Sequence, residues 1–300
     1  MPRAFVNGIG INYQQAGVGP DLVLVHGLAA NLAFWYIRIL PFLIREFRVT
    51  VYDLRGHGFS DMPHSKYTSA DMAKDLGGLL GQLGIDQAHL VGHSFGGLVA
   101  LHFAVLFPKR VSSLTIADSR VGALQPAPRV KDWSHWRIWQ PRLARLGVQL
   151  DEDQELDFSL LGKLAEYTRH GVLPTTNDPL LFTPFETWNG GKRSAQRWLY
   201  LLNTTTAKED FKAQAGLTLN KIRRMHRPTL AIYGQYSFCL PSCRGLQQNL
   251  THCQSVFVRR AGHFHPVIKP RIFLKNLQKF LLPQISGSTP KRIQAAQKGR

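Results

Sequence analysis

A serine framed by glycines is the residue best suited to covalent chemistry in this chain. Ser94 lies in the run Gly92-His93-Ser94-Phe95-Gly96, after a short apolar stretch and before a helical apolar pattern. A turn this sharp between a strand and a helix needs very small neighbours, which the two glycines provide. Such a turn lifts the serine hydroxyl above the sheet edge and aims the Phe95 amide at a developing oxyanion. The segment therefore predicts a nucleophilic serine, with an ordinary glycine-rich turn as the alternative.

The segments around this turn alternate between strand and helix. Residues 4–6 and 11–15 flank Asn7-Gly8, which is typical of a hairpin. Further strands are predicted at 22–25, 48–52, 88–91, 111–117, 228–234 and 255–258, and helices at about 68–83, 241–250 and 270–282. Alternating strands and helices form parallel sheets that are covered on both faces. The predicted fold class is α/β, with a mostly parallel central sheet, helices on both faces and an inserted helical cap.

The cap is predicted where the alternation stops, between residues 121 and 227. This region is polar and helix-like and holds five of the six tryptophans. The domain prediction is a core in two parts, 1–120 and 228–283, separated by the cap at 121–227 and followed by a basic flexible tail at 284–300.

Three tryptophans of the cap, Trp133, Trp136 and Trp139, are spaced three residues apart and predict one broad face of a single helix. Basic residues between them would suit the headgroup zone of a membrane. Packing of this face on the core is the preferred interpretation. Both interpretations predict an apolar pocket.

The charge is strongly basic and unevenly distributed. The formal net charge is +18, and residues 228–300 hold 11 Lys and Arg but no Asp or Glu. This imbalance indicates an anionic membrane surface or an acidic protein partner; nucleic acid is the weakest candidate, because no binding motif accompanies the charge. No apolar run approaches the length of a membrane span, so the chain is expected to be cytoplasmic, with a peripheral position on a membrane as the alternative.

The three cysteines, Cys239, Cys243 and Cys253, have no metal-ligand spacing and are interpreted as reduced thiols. No metal and no cofactor is expected.

Four segments together resemble the α/β-hydrolase fold family in its capped, single-chain form. They are His26-Gly27-Leu28, Asp53-x-Arg55-Gly56-x-Gly58-x-Ser60, Gly92-x-Ser94-x-Gly96 and Gly262-His263-Phe264. The resemblance covers residues 1–120 and 227–282. It implies that Ser94 is the nucleophile, that His263 is its base, and that the backbone amides of Leu28 and Phe95 form the oxyanion hole. His265 stays a rival for the base, and the segment from Asp53 to Ser60 is assigned a structural role.

The acid of the triad has no candidate at its usual place in the family, the loop after the strand that ends at Gly234. No Asp or Glu follows Asp210 in this chain. In some members the acid instead follows the strand after the nucleophile helix, and Asp118 lies there. Asp118 would orient His263 and stabilise its cationic form. A surface ion pair between Asp118 and Arg120 is one alternative, and a catalytic dyad or a degenerate site is another.

The predicted function is a serine hydrolase that cleaves a carboxylic ester, or a related acyl bond, of a small hydrophobic substrate through an acyl-enzyme. A serine nucleophile excludes the aspartate-dependent chemistries of the family, dehalogenation and epoxide opening. The alternative is a binding or assembly protein of the same fold with weak or no turnover, which docks on an anionic membrane or partner. The empty usual acid position motivates that alternative.

Overall fold

The computed structural model describes residues 2–171, 183–185 and 191–286. Within these residues the strands form one eight-stranded sheet in the order β1-β2-β4-β3-β5-β6-β7-β8. The strands are β1 (Arg3–Val6), β2 (Ile9–Ala16), β3 (Asp21–Val25), β4 (Arg48–Tyr52), β5 (Ala88–His93), β6 (Val111–Ala117), β7 (Thr229–Gly234) and β8 (Cys253–Val258). Neighbouring strands from β4 across to β8 are parallel, whereas β2 pairs antiparallel with β1 and with β4. The predicted fold class is confirmed.

The helices that cover the sheet are mostly short. They are α1 (Ala33–Tyr36), α2 (Leu40–Leu43), α3 (Ser69–Gln82), α4 (Phe95–Leu106), α5 (Trp136–Arg145), α6 (Ser159–His170), α7 (Gly191–Thr204), α8 (Ala207–Asp210), α9 (Leu219–Arg223), α10 (Leu240–Asn249), α11 (His265–Ile268) and α12 (Pro270–Ser286), with 3-10 turns at Pro108–Arg110 and Val130–Asp132. None of the helices in the described residues is long and apolar enough to cross a membrane.

Local sequence signals explain several of these boundaries. Asn7 and Gly8 both have positive φ, 52° and 79°, as the tight hairpin between β1 and β2 requires. Thr68 caps α3, because its side chain accepts the Asp71 amide and the Asp71 carboxylate accepts the Thr68 amide. The predicted hairpin and the predicted helix are thus confirmed.

Two hydrophobic layers hold the sheet between them. On one face, α1, α2 and α12 pack together, and the Trp35 and Phe273 rings lie 5.9 Å apart. On the other face, α3 and α4 share a continuous apolar cluster with the helices that follow β6. This arrangement leaves the carboxyl ends of the parallel strands as the edge on which loops can gather.

Helices α5 to α9 lie between β6 and β7, in the region predicted to be the cap. Trp133, Trp136 and Trp139 are each 8% exposed, and the indole N–H groups of Trp133 and Trp139 both donate to the Tyr236 carbonyl at 3.2 Å. These rings therefore pack on the core rather than contact a membrane. The prediction of one helix face is wrong in part: α5 begins at Trp136, and Trp133 lies in the turn before it.

The end of the chain differs from the expected boundary. Helix α12 continues through Ser286, so it includes the first three residues of the predicted tail, 284–286. Pro283 lacks an N–H and so loses one helical hydrogen bond, yet the helix passes through it. The rest of the predicted basic tail, 287–300, lies outside the described residues. The boundaries of the predicted domains stay a prediction.

Candidate active site

Ser94 occupies the apex of the turn between β5 and α4. Its backbone has φ 55° and ψ −126°, a conformation that costs a non-glycine residue about 1–3 kcal/mol. A Cβ on Gly92 would come 2.3 Å from the Gly96 carbonyl oxygen, and a Cβ on Gly96 would come 2.3 Å from the His26 carbonyl oxygen. Glycine is therefore required at both positions, and the backbone that they permit holds the serine above the sheet edge.

His263 and Asp118 line up behind this serine. The His263 Nε2 atom lies 3.0 Å from the Ser94 Oγ atom, and its Nδ1 atom lies 3.0 Å from the Asp118 Oδ1 atom. Because a carboxylate accepts hydrogen bonds, His263 carries its proton on Nδ1, which leaves the Nε2 lone pair facing the serine hydroxyl. The structure thus brings the three predicted side chains into one hydrogen-bonded row.

Asp118 is held in place by the loop that follows β7. Its carboxylate is completely buried and accepts the Gly234 N–H at 2.7 Å and the hydroxyl of Ser237. The surface ion pair with Arg120 is therefore a wrong interpretation, because this carboxylate does not reach the surface. The segment after β7 has no carboxylate of its own, but it donates hydrogen bonds to Asp118, which follows the neighbouring strand β6.

Two other histidines pack close to His263 but point elsewhere. His265, the rival base, is fully buried and donates from Nε2 to the Ile232 carbonyl at 3.1 Å, and burial lowers its pKa to about 4. His93 donates from Nε2 to the backbone carbonyl of His263 at 2.9 Å, and burial lowers its pKa well below the usual range. Neither ring faces Ser94, so both histidines act on the position of the loop that carries His263.

Sequence reasoning missed the positions of His93 and Ser237. His93 lies inside the pentapeptide around Ser94, where the motif leaves its residue type open. Ser237 lies three residues after Gly234, in the loop searched for a carboxylate. A hydroxyl in that loop is the signal that could have suggested a donor to a distant acid.

The loop after β3 lies against the serine. A Cβ on Gly27 would come 2.8 Å from the Ser94 Cβ atom and 3.3 Å from its Oγ atom. Leu28 follows directly, and Phe95 begins helix α4. Neither the Leu28 amide nor the Phe95 amide has a hydrogen-bond acceptor among the residues that the structure describes. The two amides predicted for the oxyanion hole are thus unengaged and close to Ser94.

Aromatic side chains surround the site. Phe238 stacks on the His263 ring with centroids 5.4 Å apart, and Phe95 contacts Phe211 at 5.2 Å. Trp198 from α7 stacks on Phe211 at 5.8 Å with the planes 9° apart. These contacts gather aromatic rings around Phe95 and His263, the neighbours of Ser94 in the site.

The segment from Asp53 to Ser60 acts through its hydrogen bonds. Asp53 accepts from the Leu32 and Phe59 amides at 2.7 and 2.8 Å and ties the loop after β4 to the loop after β3. Arg55 forms a two-pronged ion pair with Asp75 of α3 at 2.6 Å. These contacts fit the predicted structural role.

One group of potential metal ligands appears among the described residues, Asp118, Cys239 and His263. The Asp118 carboxylate and the His263 ring are already hydrogen-bonded to each other. Burial raises the pKa of the Cys239 thiol well above its usual range, so this group remains a thiol and is a poor metal ligand. The donors therefore fit a proton-transfer row better than a metal site.

Comparisons with known proteins show which proteins this chain resembles. The chain is 27% identical to a soluble epoxide hydrolase of Corynebacterium sp. (strain C12) over 94% of its own length and 96% of that protein. It is 38% identical to a 2-hydroxy-6-oxo-2,4-heptadienoate hydrolase of Pseudomonas putida over shorter stretches, 36% of this chain and 41% of the relative. The solved enol-lactonase from Burkholderia xenovorans LB400 superposes with a TM-score of 0.65 at 23% identity, covering 93% of this chain and all of that one (100%).

The names of these proteins refer to three different substrates, so they support a hydrolase without singling out the bond that it cleaves. The sequence model of the alpha/beta hydrolase fold matches residues 20–269, which is most of the chain. The chain belongs to the alpha/beta hydrolase fold family.

Proposed function

We propose that this protein is a serine hydrolase that cleaves a carboxylic ester, or a related acyl bond, through an acyl-enzyme. The observation that carries the proposal is the row Ser94–His263–Asp118, with both of its hydrogen bonds at 3.0 Å. A serine hydroxyl is a weak nucleophile at neutral pH until a neighbouring base takes its proton. His263 is the base, and Asp118 holds its ring in the required tautomer.

In the first step the Ser94 Oγ atom attacks the carbonyl carbon of the ester while its proton moves to His263 Nε2. The carbonyl oxygen becomes an oxyanion, and the backbone N–H groups of Leu28 and Phe95 donate hydrogen bonds to it. Backbone donors suit this task because they are fixed before the charge develops. Collapse of this intermediate breaks the bond to the alcohol, which takes the proton from His263 as it leaves and so restores the neutral ring.

In the second step a water molecule attacks the acyl carbon of the serine ester, and His263 takes one of its protons. The bond between the acyl carbon and the Ser94 Oγ atom then breaks, and the serine recovers its proton from His263. A carboxylic acid and an alcohol are the products. Asp118 keeps its charge throughout and stabilises the imidazolium that forms in each step.

A serine nucleophile also limits the kinds of bond that the site can cleave repeatedly. Attack of a serine on an epoxide carbon would leave an ether, which water does not hydrolyse under mild conditions. Attack on an ester carbonyl leaves a new ester, which the same site can hydrolyse. Acyl transfer is therefore the chemistry that allows repeated turnover here, and the epoxide named for one relative is not the substrate we propose.

The alternative of a binding or assembly protein without turnover was motivated by the empty acid position after β7. Asp118 lies 3.0 Å from His263 although that position holds no carboxylate. This contact supports the enzyme over the alternative.

Labelling with a fluorophosphonate tests the proposal directly. We expect the wild-type protein to gain the mass of one phosphonyl group on the peptide that contains Ser94, because only an activated serine attacks this reagent quickly. Heat-denatured protein serves as the control for non-specific reaction and should gain no label. Absence of label on the folded protein would contradict the proposed function.

We further propose that the protein docks on anionic membranes through a basic apolar face. This face is formed by α1, α2 and α12, with exposed apolar side chains Tyr36, Ile37, Phe42 and Ile272 and exposed cations Arg38, Arg45, Arg271 and Lys275. The Arg38 guanidinium donates to the Val267 carbonyl at 3.1 Å and ties the first pair of helices to the segment before α12. Cations beside exposed apolar groups match a negatively charged lipid surface.

Sedimentation with liposomes tests the docking face. We expect binding to vesicles of phosphatidylglycerol and phosphatidylcholine that weakens steeply as salt rises, because exposed charges are screened over about 8 Å at physiological ionic strength. Replacing Arg271 and Lys275 together by glutamate should abolish most of this binding. Lys208→Glu, an exposed cation of α8, is the control and should change it little. Equal binding to pure phosphatidylcholine vesicles, or none to either kind, would contradict the proposal.

A further inference from the structure

A second feature lies beside the candidate active site. A cavity of about 230 Å³ opens between the loop after β3, the loop after β4 and helix α7. Residues 29–31 and 56–59 form two of its walls, and Arg193, Ser194, Arg197 and Trp198 form the third. None of the three residues of the catalytic row lines it, so it needs an explanation of its own.

Two arginines face this cavity from one side of α7. Arg193 and Arg197 are four residues apart, so they lie one turn from each other on the same helix face. Like charges at this spacing repel and destabilise a helix. Neither arginine forms an ion pair with a carboxylate in the described part of the chain. Two cations at one cavity wall, neither paired with a carboxylate within residues 2–171, 183–185 and 191–286, are suited to binding an anion between them.

Arg197 is only partly satisfied by the protein. One of its terminal nitrogens donates to the Ser60 carbonyl at 2.7 Å, while its Nε atom is buried and has no acceptor among the described residues. Burial lowers the pKa of its guanidinium, and the nearby Asp53 and Asp61 carboxylates offset this only in part. A buried donor without an acceptor costs free energy, and an acceptor atom of a bound ligand would remove that cost.

His57 supplies a second unmatched polar atom in the cavity wall. This side chain is 3% exposed, and its Nδ1 atom donates to the Arg55 carbonyl at 2.9 Å. Its Nε2 atom is therefore an acceptor, and no donor in residues 2–171, 183–185 and 191–286 reaches it. Burial lowers the pKa of His57 to about 3, so the ring stays neutral. It can accept an O–H from a ligand or from a water molecule bound with the anion.

Apolar side chains also line the cavity, and one of its loops leads to Ser94. Phe59 is largely exposed on one side, and the Trp198 indole lies on the other. Ala29 follows Gly27 by two residues, so their Cα atoms are at most about 7.6 Å apart. Since Gly27 touches Ser94, one small molecule can reach from the serine into the cavity.

We propose that this cavity is a carboxylate subsite, in which Arg193 and Arg197 bind the free carboxylate of an ester whose carbonyl reacts at Ser94. The two oxygens of a carboxylate match the planar fork of a guanidinium, and an apolar chain between the two ends fits against Phe59 and Trp198. The substrate class is thus a half-ester of a dicarboxylic acid, or an ester of comparable shape with a distal carboxylate. This assignment of substrate class rests on the proposed function.

Binding is measured without any hydrolysis by calorimetry with 4-phenylbutyrate and its uncharged amide. We expect the carboxylate to bind the wild-type protein at least about tenfold more tightly than the amide, and Arg193→Gln to remove most of this difference. Arg197→Lys keeps the charge but loses the fork, so it should weaken binding of the carboxylate as well. Lys192→Gln removes an exposed cation of the same helix that does not line the cavity, and it is the matched control.

A kinetic comparison then links the subsite to the reaction. The ratio of kcat/KM for mono-p-nitrophenyl adipate to kcat/KM for p-nitrophenyl hexanoate should fall about tenfold in Arg193→Gln and stay unchanged in Lys192→Gln. Equal affinity for 4-phenylbutyrate and its amide, or an unchanged ratio in Arg193→Gln, overturns the subsite. If neither ester is hydrolysed by the wild-type protein, the proposed function fails, and calorimetry alone still decides whether the cavity binds carboxylates.

Discussion

Ser94→Ala is expected to lower the turnover of a p-nitrophenyl ester by about 10⁴-fold or more, because the acyl-enzyme cannot form without the hydroxyl. Thermal stability should change little. Alanine and serine both carry a Cβ, so the backbone strain at φ 55° is the same in the two proteins. The hydroxyl that is lost lies at the partly exposed site rather than in the core. Initial rates and a thermal melt of the purified variant are the measurements.

Ser134→Ala provides the control for this experiment. Ser134 is exposed and hydrogen-bonds its neighbour His135, and it takes no part in the row Ser94–His263–Asp118. Its loss should leave turnover within the error of the assay. Hydrolysis retained by Ser94→Ala would mean that Ser94 is not the nucleophile.

Asp118→Asn is expected to cause a comparably large loss, about 10⁴-fold in turnover, with the fold intact. Asparagine keeps the shape of the side chain but removes the charge that stabilises the imidazolium. In the wild-type protein, both carboxylate oxygens of Asp118 accept hydrogen bonds, from His263, Ser237 and the Gly234 amide. The asparagine side chain replaces one of these oxygens by an NH2 group, which is a donor and cannot accept. The ring of His263 then loses the partner that fixes its tautomer. Turnover of the same ester measures the effect, and circular dichroism checks the fold.

Asp153→Asn is the matched control for the acid. Asp153 is exposed and pairs with Lys131 at the surface. Surface ion pairs contribute little, so this variant should keep its activity. A loss within about threefold in Asp118→Asn would assign the chemistry to a Ser94–His263 dyad.

The row Ser94–His263–Asp118 could be predicted from sequence because most of its determinants are local. Ser94 is framed by its own glycines, and His263 follows a glycine in a loop after a strand. Asp118 could be chosen because no carboxylate exists beyond Asp210. The register of the sheet explains why Asp118 lies near Ser94. His93 of β5 pairs with Ala117 of β6, so the next residues, Ser94 and Asp118, leave the sheet side by side.

Other parts of the site depend on contacts between distant segments, which no local pattern records. The hydroxyl of Ser237 meets Asp118 across 119 residues, and the His93 ring meets the His263 carbonyl across 170. The spacing of Arg193 and Arg197 is visible in the sequence, but the sequence does not show which loops lie opposite them. Trp133 lies outside the helix that the spacing predicted. A spacing of three residues does not show where a helix begins, so the first residue of such a series can lie in the turn before the helix.

The separation of the three side chains along the chain has a consequence for biosynthesis. Ser94 and Asp118 leave the ribosome early, whereas His263 is 169 residues beyond the serine and 145 beyond the acid. At ordinary rates of translation this interval lasts about ten to thirty seconds. During that time the nascent chain can fold the turn around Ser94 while its hydroxyl still lacks a base and stays inert. Under the proposed function, Ser94 becomes reactive only when β7 and β8 have docked and the loop of His263 has closed onto it, so reactivity is delayed until most of the chain has been made.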